Sequence, residues 1–230
     1  MLKSGPFSRQ PAPPEPAESP YETTNHFLER AFDQLELDDA YKLLLITPSR
    51  EIRAVSDVSG GIFNGDGIDM DQLFEHLKRG GSLQNFPKTE NVTNEDLLGI
   101  ECDILAPAAL GHVLTKATAE DVRAKYILEG ANGPCTIAGD AVLRRRDIQV
   151  IPDIWANAGG VTVSYFEWTQ NIQQLSWDES DVNSKLERYM VRAHTAIRQT
   201  MQDYAATMRD AAFIYTIRAV KQATDTRGFD

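Results

Sequence analysis

The sequence predicts an α/β fold with a mostly parallel sheet, and three observations predict it. Short apolar segments at 52–56, 103–105, 126–128 and 150–151 alternate with stretches whose apolar residues recur every three or four positions. Three of the short segments run into loops of Gly, Asn and small residues (SGG, GANG and NAGG). The last fifty residues carry helical spacing throughout.

Taken in order, residues 1–19 contain QPAPPEPAESP, too polar and proline-rich to bury the surface that order requires, so a disordered tail is expected. Phe27, Leu28, Ala31, Phe32 and Leu35 then mark a helix, and YKLLLI continues to a break at Thr47-Pro48. A strand over 52–56 leads into SGGIFNGDGID, read as a loop. Met70, Leu73, Phe74 and Leu77 mark a helix stopped by Gly80-Gly81. A strand over 103–105 runs into Pro107, and a helix spanning 119–124 follows. The strand over 126–128 ends in GANG, and a helix covers 137–145. The strand over 150–151 ends in PDIWANAGG. Two helical stripes close the chain. One runs through Val182, Leu186, Met190, Ala193, Ile197, Met201 and Tyr204, the other through Met208, Ala211, Ala212, Tyr215 and Ala219. Both read as core faces.

In open α/β sheets, ligands bind at the carboxyl ends of the strands. That rule places Asp57, Pro107, Ala108, Asn132 and Asn157 on one edge. GDGIDM begins with G-x-G, but it follows a loop and lacks a third glycine, so it does not qualify as a phosphate loop.

Net charge is -11 and the pI about 4.8, which excludes sequence-independent nucleic-acid binding and docking on anionic lipid. No apolar run approaches the ~20 residues of a membrane span, and the N-terminus shows no signal-peptide core. Cys102 and Cys135 are far apart and form no CxxC, as expected of reduced thiols in a cytoplasmic protein. His26, His76, His112 and His194 make no HxxxH or HExxH, so no metal site is expected, and His112 reads as a surface turn residue.

Four stretches narrow the reading: AVSDVSGGIFNGDGIDMDQL, CDILAPAALGHVLT, ILEGANGPCTIAGDAVLRRR and IPDIWANAGGVTVSYFEWTQN. Together they resemble the dinucleotide-binding domain of the glutamate/leucine/phenylalanine/valine dehydrogenases. YFEWTQN and the helix after it are most similar to the glutamate dehydrogenases. The segment from SPYETT to REIR resembles the N-terminal helix and first strand entry of the same proteins. In the family, REIR leads into the substrate domain and AVSD lies far downstream. Here Arg53 is followed directly by Ala54.

The resemblance implies an incomplete Rossmann-like domain lacking its first strand and Gly-rich turn. Its implied organisation is a tail over 1–19, a remnant of the N-terminal substrate and assembly domain over 20–50, and a nucleotide-binding domain over 51–230 with a helical segment from about 178. The family reaction is the NAD- or NADP-dependent, reversible oxidative deamination of L-glutamate to 2-oxoglutarate and ammonia. The resemblance carries Asp57 over as the ribose-reading acid, with a solvated loop or capping role as the alternative. Pro107 and Ala108 become the loop along the cofactor, Asn132 and Asn157 the neighbours of the nicotinamide and its ribose, and Val161 and Ser164 the substrate contacts. No catalytic residue carries over, because no GGAKGG-like run, PAPD stretch or G-x-G-x-x-G is present. The implied chain is inactive alone. The alternatives are a non-catalytic partner or regulator of a full-length dehydrogenase, or a truncated gene product, and the chain is expected to form an oligomer with itself or with a full-length dehydrogenase. Removing a strand between the Asp57 strand and the Cys102 strand leaves two edges, which are expected to pair directly or to lie under the N-terminal helix.

Overall fold

The computed structural model describes residues 43–46, as backbone, and 51–228, all within the second of the two units into which the chain divides, Asp38–Asp230. The tail over 1–19 and the helix through Phe27 and Leu35 lie outside the described residues. The strands are β1 Leu43–Ile46, β2 Ile52–Asp57, β3 Gly60–Phe63, β4 Glu90–Val92, β5 Cys102–Pro107, β6 Ala124–Leu128 and β7 Gln149–Ile151. The helices are α1 Met70–Lys78, α2 Asn94–Leu98, α3 Thr118–Asp121, α4 Ile137–Arg145, α5 Asp153–Ala156, α6 Ala158–Gln173, α7 Glu179–Tyr204 and α8 Met208–Arg227.

All seven strands form one sheet in the order β4-β3-β2-β1-β5-β6-β7. β5, β6 and β7 pair in parallel, joined by crossovers that carry α3 and α4. β1 is antiparallel to both β2 and β5, and β3 is antiparallel to β2 and β4. Five of the seven strands (β2, β4, β5, β6 and β7) therefore run one way, with β1 and β3 opposed to them.

β1 corrects the expectation about the two edges. They do not pair with each other, because β1 fills the slot between them, and the N-terminal helix lies outside the described residues. Leu43–Ile46 pairs with 52–56 on one side and with 104–107 on the other. Buried backbone N–H and C=O groups require partners, and a strand saturates both edges at once. A four-residue apolar run directly after a helical stripe has no period of its own by which to declare itself a strand. β2 crosses the Arg53–Ala54 junction without a break, with Ile52, Ala54 and Val55 buried.

Two further readings change. The Gly-rich stretch read as a loop contains β3: Val58 and Ser59 make a two-residue hairpin turn, and Ile62 on β3 is fully buried. The helix expected over 119–124 is only Thr118–Asp121, because Ala124 is already paired with Cys102 at the start of β6. β4, α2 and α6 carried no sequence signal. After Ala158, α6 continues with Gly159, Gly160, Val161, Thr162 and Val163, which are poor helix formers whose preference the tertiary setting overrides.

The expected helices over 70–78 and 137–145 form as α1 and α4. Each is capped by a side chain: the Asp69 carboxylate accepts from Gln72 N, and the Thr136 hydroxyl accepts from Gly139 N. The core lies between the sheet and α2, α3 and α4, around Leu105, Leu114, Ile127 and Leu143. α4 approaches the 114–115 loop so closely that a Cβ on Gly139 would lie 2.1 Å from the Leu114 carbonyl oxygen. Of the second C-terminal stripe, Met208, Ala211 and Ala212 are buried, while Tyr215 and Ala219 are exposed.

Candidate functional site

The site is built at the carboxyl ends of β5, β6 and β7. At the end of β5, the buried Pro107 accepts through its carbonyl from Ala131 N at 2.9 Å, tying this strand end to the loop after β6. A Cβ on Gly130 would lie 3.3 Å from the Ala108 Cα, so the two strand ends approach closely here. After β7 the chain turns through α5 to Asn157. The Asn157 side-chain amide donates to Asn132 Oδ1 at 2.8 Å and to the Gly130 carbonyl at 3.3 Å. Of the four predicted residues at these strand ends, Asn132 and Asn157 bond each other directly, and Pro107 and Ala108 lie against the same loop at Ala131 and Gly130. Asn132 is exposed and Asn157 half-buried.

Asp57 ends β2 on the same edge of the sheet. Ser56, Leu43 and Pro107 share one row, which puts Asp57 two strand spacings, about 10 Å, from β5. Its Oδ1 accepts from Ser59 N at 2.7 Å and Ser59 Oγ at 2.6 Å. The carboxylate therefore serves the hairpin turn, in the manner of an Asx-turn. Val161 stands in the first turn of α6, directly after Asn157, with Ser164 one turn further on. Both side chains are exposed, and the spacing of three puts them on the same side. His112 is an exposed turn residue with φ +60 whose N–H donates to the Gly133 carbonyl at 2.8 Å.

Beneath the asparagines lies a charge cluster that sequence reasoning missed. Glu129, fully buried at the end of β6, receives both Nη atoms of Arg209 at 2.7 and 2.9 Å. It also receives the backbone N–H of Asp153 at 3.0 Å. Arg209 Nε donates to Asp140 at 2.8 Å. The Asp153 carboxylate accepts from Gly133 N and Ile154 N, each at 2.7 Å. Burial works against the Arg209 charge, but hydrogen bonding and attraction to Glu129 and Asp140 outweigh it and raise its pKa. The sequence held one hint of this cluster: Glu129 closes the apolar run Tyr-Ile-Leu, and a buried carboxylate requires a partner. The partner lies 80 residues away, beyond the reach of any spacing rule.

Both cysteines are free. Burial pushes the Cys102 and Cys135 thiols up to about 12, and neighbouring carboxylates add to the effect. Among the described residues, no helix is long and apolar enough to cross a membrane.

A dinucleotide's pyrophosphate rests on the N-terminus of a helix that follows the central strand of such a sheet. Here the slot between β2 and β5 holds β1, which runs the opposite way and presents its first residue, Leu43, where its neighbours present their last. Among the described residues no helix begins at that point. Among the described residues, β5, β6 and β7 have no reversed strand between them.

An α/β sheet with parallel crossovers and small polar loops at its carboxyl edge defines an incomplete Rossmann-like domain. Residues 40–228 match the model of the family described as Glutamate/Leucine/Phenylalanine/Valine dehydrogenase, and the chain belongs to that family. It is 46% identical over 178 residues to a glutamate dehydrogenase of Thermotoga maritima, an alignment that covers 77% of this chain and 43% of that relative. The chain therefore spans less than half the length of the relative it matches. A crystal structure of glutamate dehydrogenase from Peptoniphilus asaccharolyticus superposes with a TM-score of 0.60 at 34% identity, covering 74% of this chain and 38% of the other. The hetero-hexameric glutamate dehydrogenase of Thermus thermophilus, in a Leu-bound form, superposes with a TM-score of 0.73 over 93% of this chain and 55% of the other. At 21% identity that last likeness shows the fold alone.

Proposed function

We propose that this chain is the nucleotide-binding portion of a glutamate-acting dehydrogenase, and that it does not catalyse oxidative deamination alone. The observation that supports the reading best is the Asn157–Asn132 hydrogen bond, which joins the loops after β6 and β7 beside Pro107 and Ala108. In this reading the edge takes the nicotinamide and ribose of NAD or NADP, and Val161 and Ser164 meet the substrate. The sequence offers no lysine-rich motif or PAPD stretch to move protons. The filled slot between β2 and β5 removes the pyrophosphate seat. The reading places the chain in the cytoplasm, in keeping with its two free thiols.

The test has two arms, calorimetric titration with NAD, NADP and nicotinamide mononucleotide, and glutamate-dependent reduction of NAD followed at 340 nm. Weak binding of the mononucleotide with no measurable turnover is the expected result. Loss of proton-transfer groups alone removes about 10²–10⁴-fold in rate. Turnover near that of a full-length dehydrogenase would refute the reading.

One observation favours a second reading, that of a non-catalytic partner of a full-length dehydrogenase. Val161, Tyr165, Trp168 and Ile172 are exposed along α6 at spacings of four, three and four, forming an uncovered apolar stripe. Co-purification with an intact dehydrogenase, lost on Trp168→Glu, is the result this reading requires.

A further inference from the structure

We infer that Arg209 is a positioning residue for the Asn132–Asn157 edge, acting through Glu129 and Asp153. The inference rests on the assignment of that edge to the nicotinamide ribose. Every link is a hydrogen bond. Arg209 fixes the Glu129 carboxylate with both Nη atoms, at 2.7 and 2.9 Å. Glu129 Oε2 then holds the Asp153 backbone N–H at 3.0 Å. Asp153 Oδ2 holds Gly133 N at 2.7 Å, one residue past Asn132, and the Asp153 carbonyl accepts from Asn157 N at 3.2 Å. A single guanidinium on α8 thus bears on both sides of the asparagine pair.

The geometry argues for orientation rather than for stability alone. A buried ion pair is weak evidence of net stabilisation, because desolvation offsets most of the attraction. Arg209 also makes three hydrogen bonds to two carboxylates, with Nε on Asp140 at 2.8 Å and the two Nη atoms on Glu129. A rigid planar fork sets the carboxylate's orientation, which the point charge of a lysine does not. The carboxylate it orients is the one that receives the first N–H of α5, the turn that delivers Asn157.

The test uses the full chain. Arg209→Lys keeps the charge and loses the fork. Arg209→Met removes both, and Ile197→Ala serves as a control that lowers stability by packing. Two readouts apply: the amide proton shift of Gly133 by NMR, and titration with nicotinamide mononucleotide. Arg209→Lys is expected to move the Gly133 amide signal and weaken binding roughly tenfold. Arg209→Met should do more, and Ile197→Ala neither. An unchanged Gly133 signal in folded Arg209→Lys overturns the inference. So does an equal change in Ile197→Ala. If Arg209→Met does not fold, the lysine variant decides. If the parent chain binds no mononucleotide, the functional assignment fails, while the Gly133 signal still decides whether Arg209 sets the loop.

Discussion

The two halves of the sheet are held by different means. In β5–β6–β7, each strand is joined to the next by a helix-bearing crossover, and their ends are stitched together by Pro107, Gly130, Asn132 and Asn157. In β4–β3–β2–β1, every pairing is antiparallel, and the innermost strand is a four-residue run that serves two neighbours. The first half gathers the carboxyl ends of its three strands on one edge. In the second, the sheet is complete but the edge beside β2 is not, because β1 runs the wrong way to deliver a helix N-terminus there. Filling a slot in a sheet and presenting a helix N-terminus at its edge are therefore separate requirements, and β1 meets only the first.

The sharpest way to break the comparison is Leu45→Pro. A proline inside a strand paired on both sides removes a ladder bond, and a cost of about 3 kcal/mol or more is expected. Hydrogen exchange should show Val55 and Ala106 losing protection while Ile127 keeps it. Equal loss at all three would mean the halves unfold as one. In the other half, Gly139→Ala pushes a methyl against the Leu114 carbonyl and should cost about 1–3 kcal/mol. A Tm unchanged from the parent would show that α4 slides freely.

Asn157→Ala should cost about 1 kcal/mol of stability through the lost bond to Asn132. It should also weaken mononucleotide binding, whereas Asp57→Ala should leave that binding unchanged. Calorimetry on both variants checks the pair, and the reverse order would shift the site to β2. The smallest effect is acidic. The Arg144 guanidinium, hydrogen-bonded to Asp210 at 2.7 and 2.9 Å, holds that carboxyl below its ordinary value of 3.8. Its contribution is therefore present above about pH 4 and fades as pH falls through the lowered value. The side chain is 43% exposed, which limits the contribution to at most about 1 kcal/mol. Arg144→Gln should flatten the acid limb of the stability curve slightly, and an unchanged limb would remove Asp210 from the account.

Legibility in the sequence followed the range of the physics. α1 and α4 were readable because their apolar spacing and caps lie within four residues of one another. The asparagines were readable because small polar loops after short apolar strands mark the carboxyl edge. β3 was not, since Gly60 and Gly61 carry no apolar alternation and are strand residues only because β2 and β4 flank them. α6 was hidden behind glycines and β-branched residues. Arg209 gave no sign, because nothing in MRDAAF distinguishes a buried fork from a surface charge.

The sequence by itself determined the family, the α/β alternation, the acidic surface and the grouping of Pro107, Ala108, Asn132 and Asn157. Each of these depends on local composition, short periods or motifs read along the chain. Only the tertiary structure decided that Leu43–Ile46 fills the slot between β2 and β5, that Asp57 serves its own hairpin turn, and that Arg209 reaches Glu129 across 80 residues. Those outcomes depend on unsatisfied backbone groups and a buried charge finding partners. Such partners are chosen by distance in space, which separation along the chain does not encode.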